Sequence, residues 1–259
     1  MKSKHALNNI YLAVLSLLAG LTLWGLAVYI TGLPSFILPS PQQVWTRLID
    51  VVADGTLWRN TWVTAREVSI GLGLGASLAV LLGYAVAKSR TTERLLSPYL
   101  VASQAIPVVA LAPLLVLWFG PGMFSKVLIC GMTVFFPVLV NTIVGVRAVP
   151  EELRDLMHSL HASRLQVIKN LELPAALPIL LGGLRIGATL SVIGAVVGEF
   201  VGADKGLGFL VNIARGQYDT ALVFVAIATL IVMALILYGI VILIEKRFLK
   251  WQLASKENL

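Results

Sequence analysis

Long apolar runs separated by shorter polar connectors dominate this chain. Six stretches hold roughly 20 mostly apolar residues each, the length needed to cross the hydrocarbon of a bilayer: 10–30, 68–87, 95–119, 126–146, 177–197 and 220–244. The pattern predicts an all-α, polytopic membrane protein with six transmembrane helices forming one domain over residues 1–259. Pro107, Pro113 and Pro137 interrupt the third and fourth runs. Proline survives in a span when neighbouring helices satisfy the freed backbone groups, so these two segments are expected inside the bundle. Gly71 and Gly75 form a Gly-x-x-x-Gly pair in the second run, which favours close helix packing.

Two connectors are too long and too patterned to be simple links. In 33–65, apolar residues recur at Val44, Trp45, Leu48, Ile49 and Val52 after Pro39-Ser40-Pro41. That is helical spacing, and Trp45 and Trp58 suit the headgroup level, so an interfacial helix is expected. The second connector, 150–178, carries Glu151, Glu152, Arg154, Asp155, Arg164, Lys169 and Glu172, with His158 and His161. Pro150 suits a helix start, and the early acids favour the first turn electrostatically. Ser163 suits the cap of a second short helix through Leu165, Val167, Ile168 and Leu171. Pro174 and Pro178 are expected to close this unit before the fifth span. The stretch 202–218 reads as a loop.

Composition agrees with lipid as the solvent: 58% of residues are hydrophobic and 13% charged, against about a quarter charged in soluble domains. The apolar run 10–30 exceeds a signal core of about 7–15 residues and no small-x-small cleavage site follows, so it is read as a retained span. A net charge of +7 comes without a basic stripe of interleaved aromatics, so no nucleic-acid partner is expected. The positive charge is sorted by connector instead. About two thirds of the 20 basic residues fall in alternate segments: Lys2 and Lys4; Lys88, Arg90 and Arg94; Arg147, Arg154, Arg164 and Lys169; Lys246, Arg247, Lys250 and Lys256. Basic residues mark the cytoplasmic side. Both termini and the 150–178 connector are therefore expected in the cytoplasm, with the protein in the inner (plasma) membrane.

Within that connector, Asp155-Leu156-Met157, His161-Ala162-Ser163-Arg164 and Leu171-Glu172-Leu173-Pro174-Ala175-Ala176-Leu177-Pro178 resemble the EAA loop of binding-protein-dependent ABC importer permeases. The family pattern is Glu-Ala-Ala, three residues, Gly, nine residues, then Ile-x-Leu-Pro. The spacing is intact here, whereas Asp155 stands for the glutamate, Leu156 and Met157 for the alanines, His161 for the glycine and Leu171 for the isoleucine. Arg66 with Gly71, Gly75 and Gly83, the Ile106-Pro107-Val108 region, and Gly198-Glu199 with Gly206-Leu207-Gly208 are similar to the nitrate/sulfonate/taurine branch. The run 183–200 also resembles permeases for flavin or thiamine-pyrimidine vitamins.

The resemblance implies a permease subunit that works by alternating access. Its partners would be a pair of cytoplasmic ABC ATPase subunits, a second permease copy, an extracytoplasmic solute-binding protein and the membrane lipid. It makes 150–175 the coupling loop, with Arg154, Asp155, Leu156, Met157, Leu160, His161 and Arg164 against the ATPase. Glycine at position 161 would permit a sharp turn or close approach. With His161 there, either the turn is built differently or the ATPase groove accepts a ring. His158 and His161 lack further ligands for a metal.

No phosphate-cradling Gly-x-x-x-x-Gly-Lys motif and no catalytic constellation is present, so the chain is expected to be no enzyme and to hold no cofactor. Polar or charged positions within the spans are candidates for the substrate pathway: Gln104, Thr133, Asn141, Arg185, Ser191 and Glu199. No ring of basic residues suits a sulfonate or nitrate, which favours a neutral heterocycle such as riboflavin or a pyrimidine precursor. A sulfonate- or nitrate-type anion is the alternative substrate, and a secondary transporter or channel without an ATPase is the alternative class.

Overall fold

The computed structural model describes residues 2–249, with the side chains of 2–10, 13, 14, 17 and 104 outside the description. Among the described residues every regular element is helical. In chain order these are α1 (Lys2–Thr31), α2 (Pro41–Ala53), α3 (Thr56–Ala87), α4 (Arg90–Gln104), α5 (Val108–Phe119) and α6 (Met123–Arg147). They are followed by α7 (Glu151–Ser159), α8 (Arg164–Val167), α9 (Leu173–Gly202), α10 (Leu207–Gly216) and α11 (Thr220–Phe248).

At the centre, α6 packs along α9 on one side and α3 on the other. Lipid is as apolar as leucine, so burial of apolar surface drives little of this association; close backbone approach does. Gly75 of α3 lies so near Gly131 of α6 that an added Cβ would come within 2.6 Å of the Gly131 carbonyl oxygen. The Gly-x-x-x-Gly pair is thus a helix contact, as its spacing predicts. A second cluster joins α10 and α11 to this core through Leu207, Val211, Leu222 and Val225.

The described helices α3, α6 and α11, and the continuous run Arg164–Gly202, are long and apolar enough to cross a membrane. The expected third span is different. It breaks into α4 and α5, bent by 90° around 104–107, because Pro107 lacks an amide donor and pushes the residue before it out of helical geometry. A further difference concerns the fifth span. The short helix expected at 164–171 does not stop at Pro174 but runs on into α9 as one helix of 39 residues. A π-helical turn at Ile168–Glu172 makes this continuity feasible. It widens the backbone immediately before Pro174, where a regular helix would clash with the proline ring.

The helix expected after Pro39-Ser40-Pro41 is α2, begun by a reciprocal Ser40/Gln43 cap. It turns Val51, Val44 and Leu48 toward the core and leaves Trp45, Ile49 and Val52 exposed. The stretch read as a loop at 202–218 instead contains α10, whose Leu207, Leu210, Val211 and Ala214 are buried.

Candidate functional site

Between α6 and α9 the chain leaves the bundle and builds a compact module from α7 and α8. Pro150 precedes α7, with Glu151 and Glu152 in its first turn. The helix ends by geometry that the sequence spacing anticipates. The His161 amide donates to the His158 carbonyl at 2.9 Å and the Ala162 amide to the Met157 carbonyl at 3.0 Å. These two bonds form a Schellman closure, which needs a left-handed residue at its centre. His161 is that residue, with φ of 53°. The family glycine is therefore replaced without changing the turn, since histidine enters this region more readily than most side chains. Ser163 then caps the next helix, accepting from the Gln166 amide while its own amide donates to the Gln166 side chain.

This closure presents a row of apolar side chains outward. Leu156 is 54% exposed, Leu160 68% and Leu165 72%, and Leu153 joins them. Leu153, Leu156 and Leu160 lie at helical spacing on one face of α7. Asp155, His161 and Arg164 are exposed around them, and Met157 is half-buried. Exposed leucines on a polar module form a surface suited to a partner. Leu153 and Leu165 extend the residue set expected from the motif.

The module is tied to the bundle rather than hung from it. The fully buried Glu172 carboxylate accepts from Tyr84 Oη at 2.8 Å and from Lys88 Nζ at 2.6 Å, both at the end of α3. Arg154 donates to the Val146 carbonyl at 2.8 Å and stands 3.9 Å from Glu172. Arg90 pairs with Glu151, and Arg147 with Glu93 at 2.5 Å. Burial alone would lower the Lys88 pKa, but its bonds to Glu172 and Tyr84 outweigh that and hold it above the ordinary value. Glu172, Lys88 and Tyr84 were not singled out as a unit from sequence, because 84 residues or more separate the partners along the chain.

The candidate pathway residues are not gathered into one site. Arg185 and Glu199, both on α9, are about 21 Å apart along the helix axis. Arg185 pairs with Glu245 of α11 and lies over the Tyr238 ring at 5.7 Å. Ser191 is fully buried and bonds back to the Ala188 carbonyl at 2.7 Å. Thr133 and Asn141 are half-buried on α6, facing Gly194 and Gly183 of α9. Each bonds to a carbonyl of its own helix at 2.8 Å, that of Ile129 and of Pro137 respectively. Gln104 ends α4, and its side chain lies outside the described residues.

Glu199 does not guard an open mouth; it is fully buried in a polar cluster at the other end of α9. Its carboxylate accepts from Thr64 Oγ1 at 2.6 Å and from the Gly208 amide at 2.5 Å. The Leu207 amide donates to Thr64 and the Gly206 amide to Asn60 Oδ1, each at 2.8 Å. Asn60 and Thr64 thus form one face of α3 that holds the start of α10. Gly206 has φ of 120°, and a Cβ there would overlap the Glu199 carboxylate. Lys126 of α6 is also buried. Its ammonium is surrounded by the carbonyls of Pro121, Gly122 and Gly202.

Comparison with known proteins meets this geometry. Residues 72–250 match the family described as binding-protein-dependent transport system inner membrane component. The riboflavin transport system permease protein RibX of Chloroflexus aurantiacus is 45% identical over 232 residues, covering 90% of this chain and 87% of that protein. The formylaminopyrimidine transport permease protein ThiX of Halalkalibacterium halodurans is 36% identical, with 90% and 92% covered. The taurine transport system permease protein TauC of Escherichia coli is 31% identical, with 94% and 90% covered. Among solved structures, an inward-facing form of the MetNI methionine ABC transporter superposes with a TM-score of 0.64. It is 17% identical and covers 76% of this chain and 97% of that one. The chain belongs to the binding-protein-dependent transport system inner membrane components, the permease subunits of ABC importers, in which a separate ATPase subunit hydrolyses ATP.

Proposed function

We propose that this permease imports riboflavin or a closely related flavin or pyrimidine precursor. The observation that carries the substrate reading is the 45% identity to a riboflavin permease across 90% of the chain, with a formylaminopyrimidine permease at 36%. The taurine permease matches at 31%, which ranks a sulfonate-type anion second.

In this reading the chain crosses the membrane six times, with α1 and the bent α4–α5 pair adding to the four long spans. Both termini and the α7–α8 module face the cytoplasm. Two copies frame one pathway, a solute-binding protein delivers substrate from outside, and an ATPase pair docks on Leu153, Leu156, Leu160 and Leu165. Arg154, Asp155, His161 and Arg164 supply register around that apolar row. Closure of the ATPase pair pushes α7. Because Glu172 is bonded to α3 and the α8 helix runs unbroken into α9, the push turns those two spans, opening the pathway to one side. Thr133 and Asn141, half-exposed on α6, are the proposed lining. Arg185 and Glu199 tie α9 to α11 and α3, and Ser191 is bonded within α9.

The test is uptake of labelled riboflavin into proteoliposomes holding permease, ATPase and binding protein. ATP-dependent uptake that is blocked by excess riboflavin but not by taurine supports the reading. Blockage by taurine alone transfers it to the anion class.

A further inference from the structure

A cavity of about 500 Å³ lies between the end of α3, α7 and the start of the α8–α9 helix. Lys88, Arg154, His158 and Arg164 line it, with Glu172 as its single carboxylate. Lys88 and Glu172 neutralise each other at 2.6 Å. Arg154 keeps a buried Nε without a hydrogen-bond partner. Among the described residues, Arg164 and His158 form no side-chain hydrogen bond or ion pair. The cavity therefore carries an excess of positive charge.

A second cavity, about 210 Å³, shares Tyr84, Ile168 and Glu172 with the first. From there it continues between α3 and α9 along Val80, Leu81, Ala176 and Leu180. Each of these lies further into a membrane helix than the shared wall. A basic chamber and an apolar groove thus adjoin on either side of Tyr84, Ile168 and Glu172. Basic pockets between membrane helices on the cytoplasmic side suit anionic head groups, and a free anion has no use for the groove.

We propose that the adjoining cavities seat one anionic phospholipid per permease copy, its head group on one side of the shared wall and an acyl chain on the other. Its phosphate lies against Arg154 and Arg164, and one acyl chain lies along Leu81 and Leu180. The lipid would bridge the coupling module to α3 beside the Glu172–Lys88 pair. Assigning it to the cytoplasmic leaflet rests on the topology proposed above; its binding does not.

The experiment uses the delipidated importer complex and native mass spectrometry after adding dioleoylphosphatidylglycerol or dioleoylphosphatidylcholine. The glycerol lipid is expected to remain at one per permease copy and the choline lipid to dissociate. Arg164→Ala is expected to weaken retention roughly fivefold, as loss of one interfacial cation implies, and Arg164→Lys to restore most of it. Leu81→Trp and Leu180→Trp fill the groove but keep every cation. In complexes that still carry their ATPase, both are expected to release the glycerol lipid. Equal retention of the two lipids, retention in either tryptophan variant, displacement by inorganic phosphate alone, or no lipid in the complex would overturn the proposal.

Discussion

The two ends of α9 solve one problem in different ways. Each end buries a glutamate completely and ties it to α3: Glu172 to Tyr84 and Lys88, Glu199 to Thr64. At the Glu172 end the partner is a cation, so the tie is an ion pair with Arg154 nearby. At the other end the donors are a hydroxyl and a backbone amide. Lys126, the nearby cation, is occupied by three carbonyls. The lesson is that the end joined to the α7–α8 module is held by charge. The end that sets the α9–α10 turn is held by shape and hydrogen bonds.

The largest effect is expected where shape matters most. Gly206→Val places atoms in the Glu199 carboxylate and forces a branched residue to φ of 120°. A cost above about 3 kcal/mol follows from strain plus overpacking, read as loss of a cooperative melting transition in detergent. Second is the ion pair. Lys88→Ala leaves a buried carboxylate without its cation, a change that costs about 3–5 kcal/mol when both partners are buried. Lys88 is 42% exposed, so about 2 kcal/mol is expected here after solvent screening. Limited proteolysis should show the α7–α8 module cut while α10 stays protected.

The charge difference between the ends is sharpened by two matched substitutions. Glu172→Gln removes the charge facing Lys88 and is expected to cost about 2 kcal/mol. Glu67→Gln keeps the size and polarity of a side chain that, among the described residues, faces no cation in an ion pair and is expected to cost less than about 1 kcal/mol. Equal melting shifts in the two variants would erase the distinction. Alkaline titration gives an independent check. The Lys88 pKa is raised on folding, so its contribution is complete below the ordinary lysine value of 10.5. It is lost only as pH rises through the higher folded value. Module protection should be flat across neutral pH and fall only above that range. The smallest effect is at the turn: His161→Gly relieves a left-handed side chain but frees the unfolded chain, so the module should gain only about 0.5 kcal/mol.

Local signals carried much of this architecture. The apolar runs predicted the long helices α3, α6 and α11, and Gly71 and Gly75 predicted the close α3–α6 contact. Ser163 and the glycine-equivalent His161 marked the ends of the module's helices. The parts that escaped sequence reading depend on distant partners. Nothing near Glu172 in sequence points to Lys88, and nothing near Lys126 announces its carbonyl cage. Helix α10 was hidden because its apolar residues follow a glycine-rich segment that reads as a loop. The continuity from α8 to α9 was hidden because Pro174 and Pro178 normally stop helices, and only a widened turn lets the chain pass.

The central claim is that the exposed leucine row of α7 is the ATPase-docking surface. Retention of the ATPase on purified permease tests it most directly, comparing the unaltered chain with a Leu156→Asp, Leu160→Asp double variant. Each substitution removes an apolar contact and would bury an unpaired carboxylate in it, a cost of at least about 1–2 kcal/mol each. The account predicts at least about a hundredfold weaker retention with an unchanged melting temperature. Full retention of the ATPase by the folded double variant would contradict it.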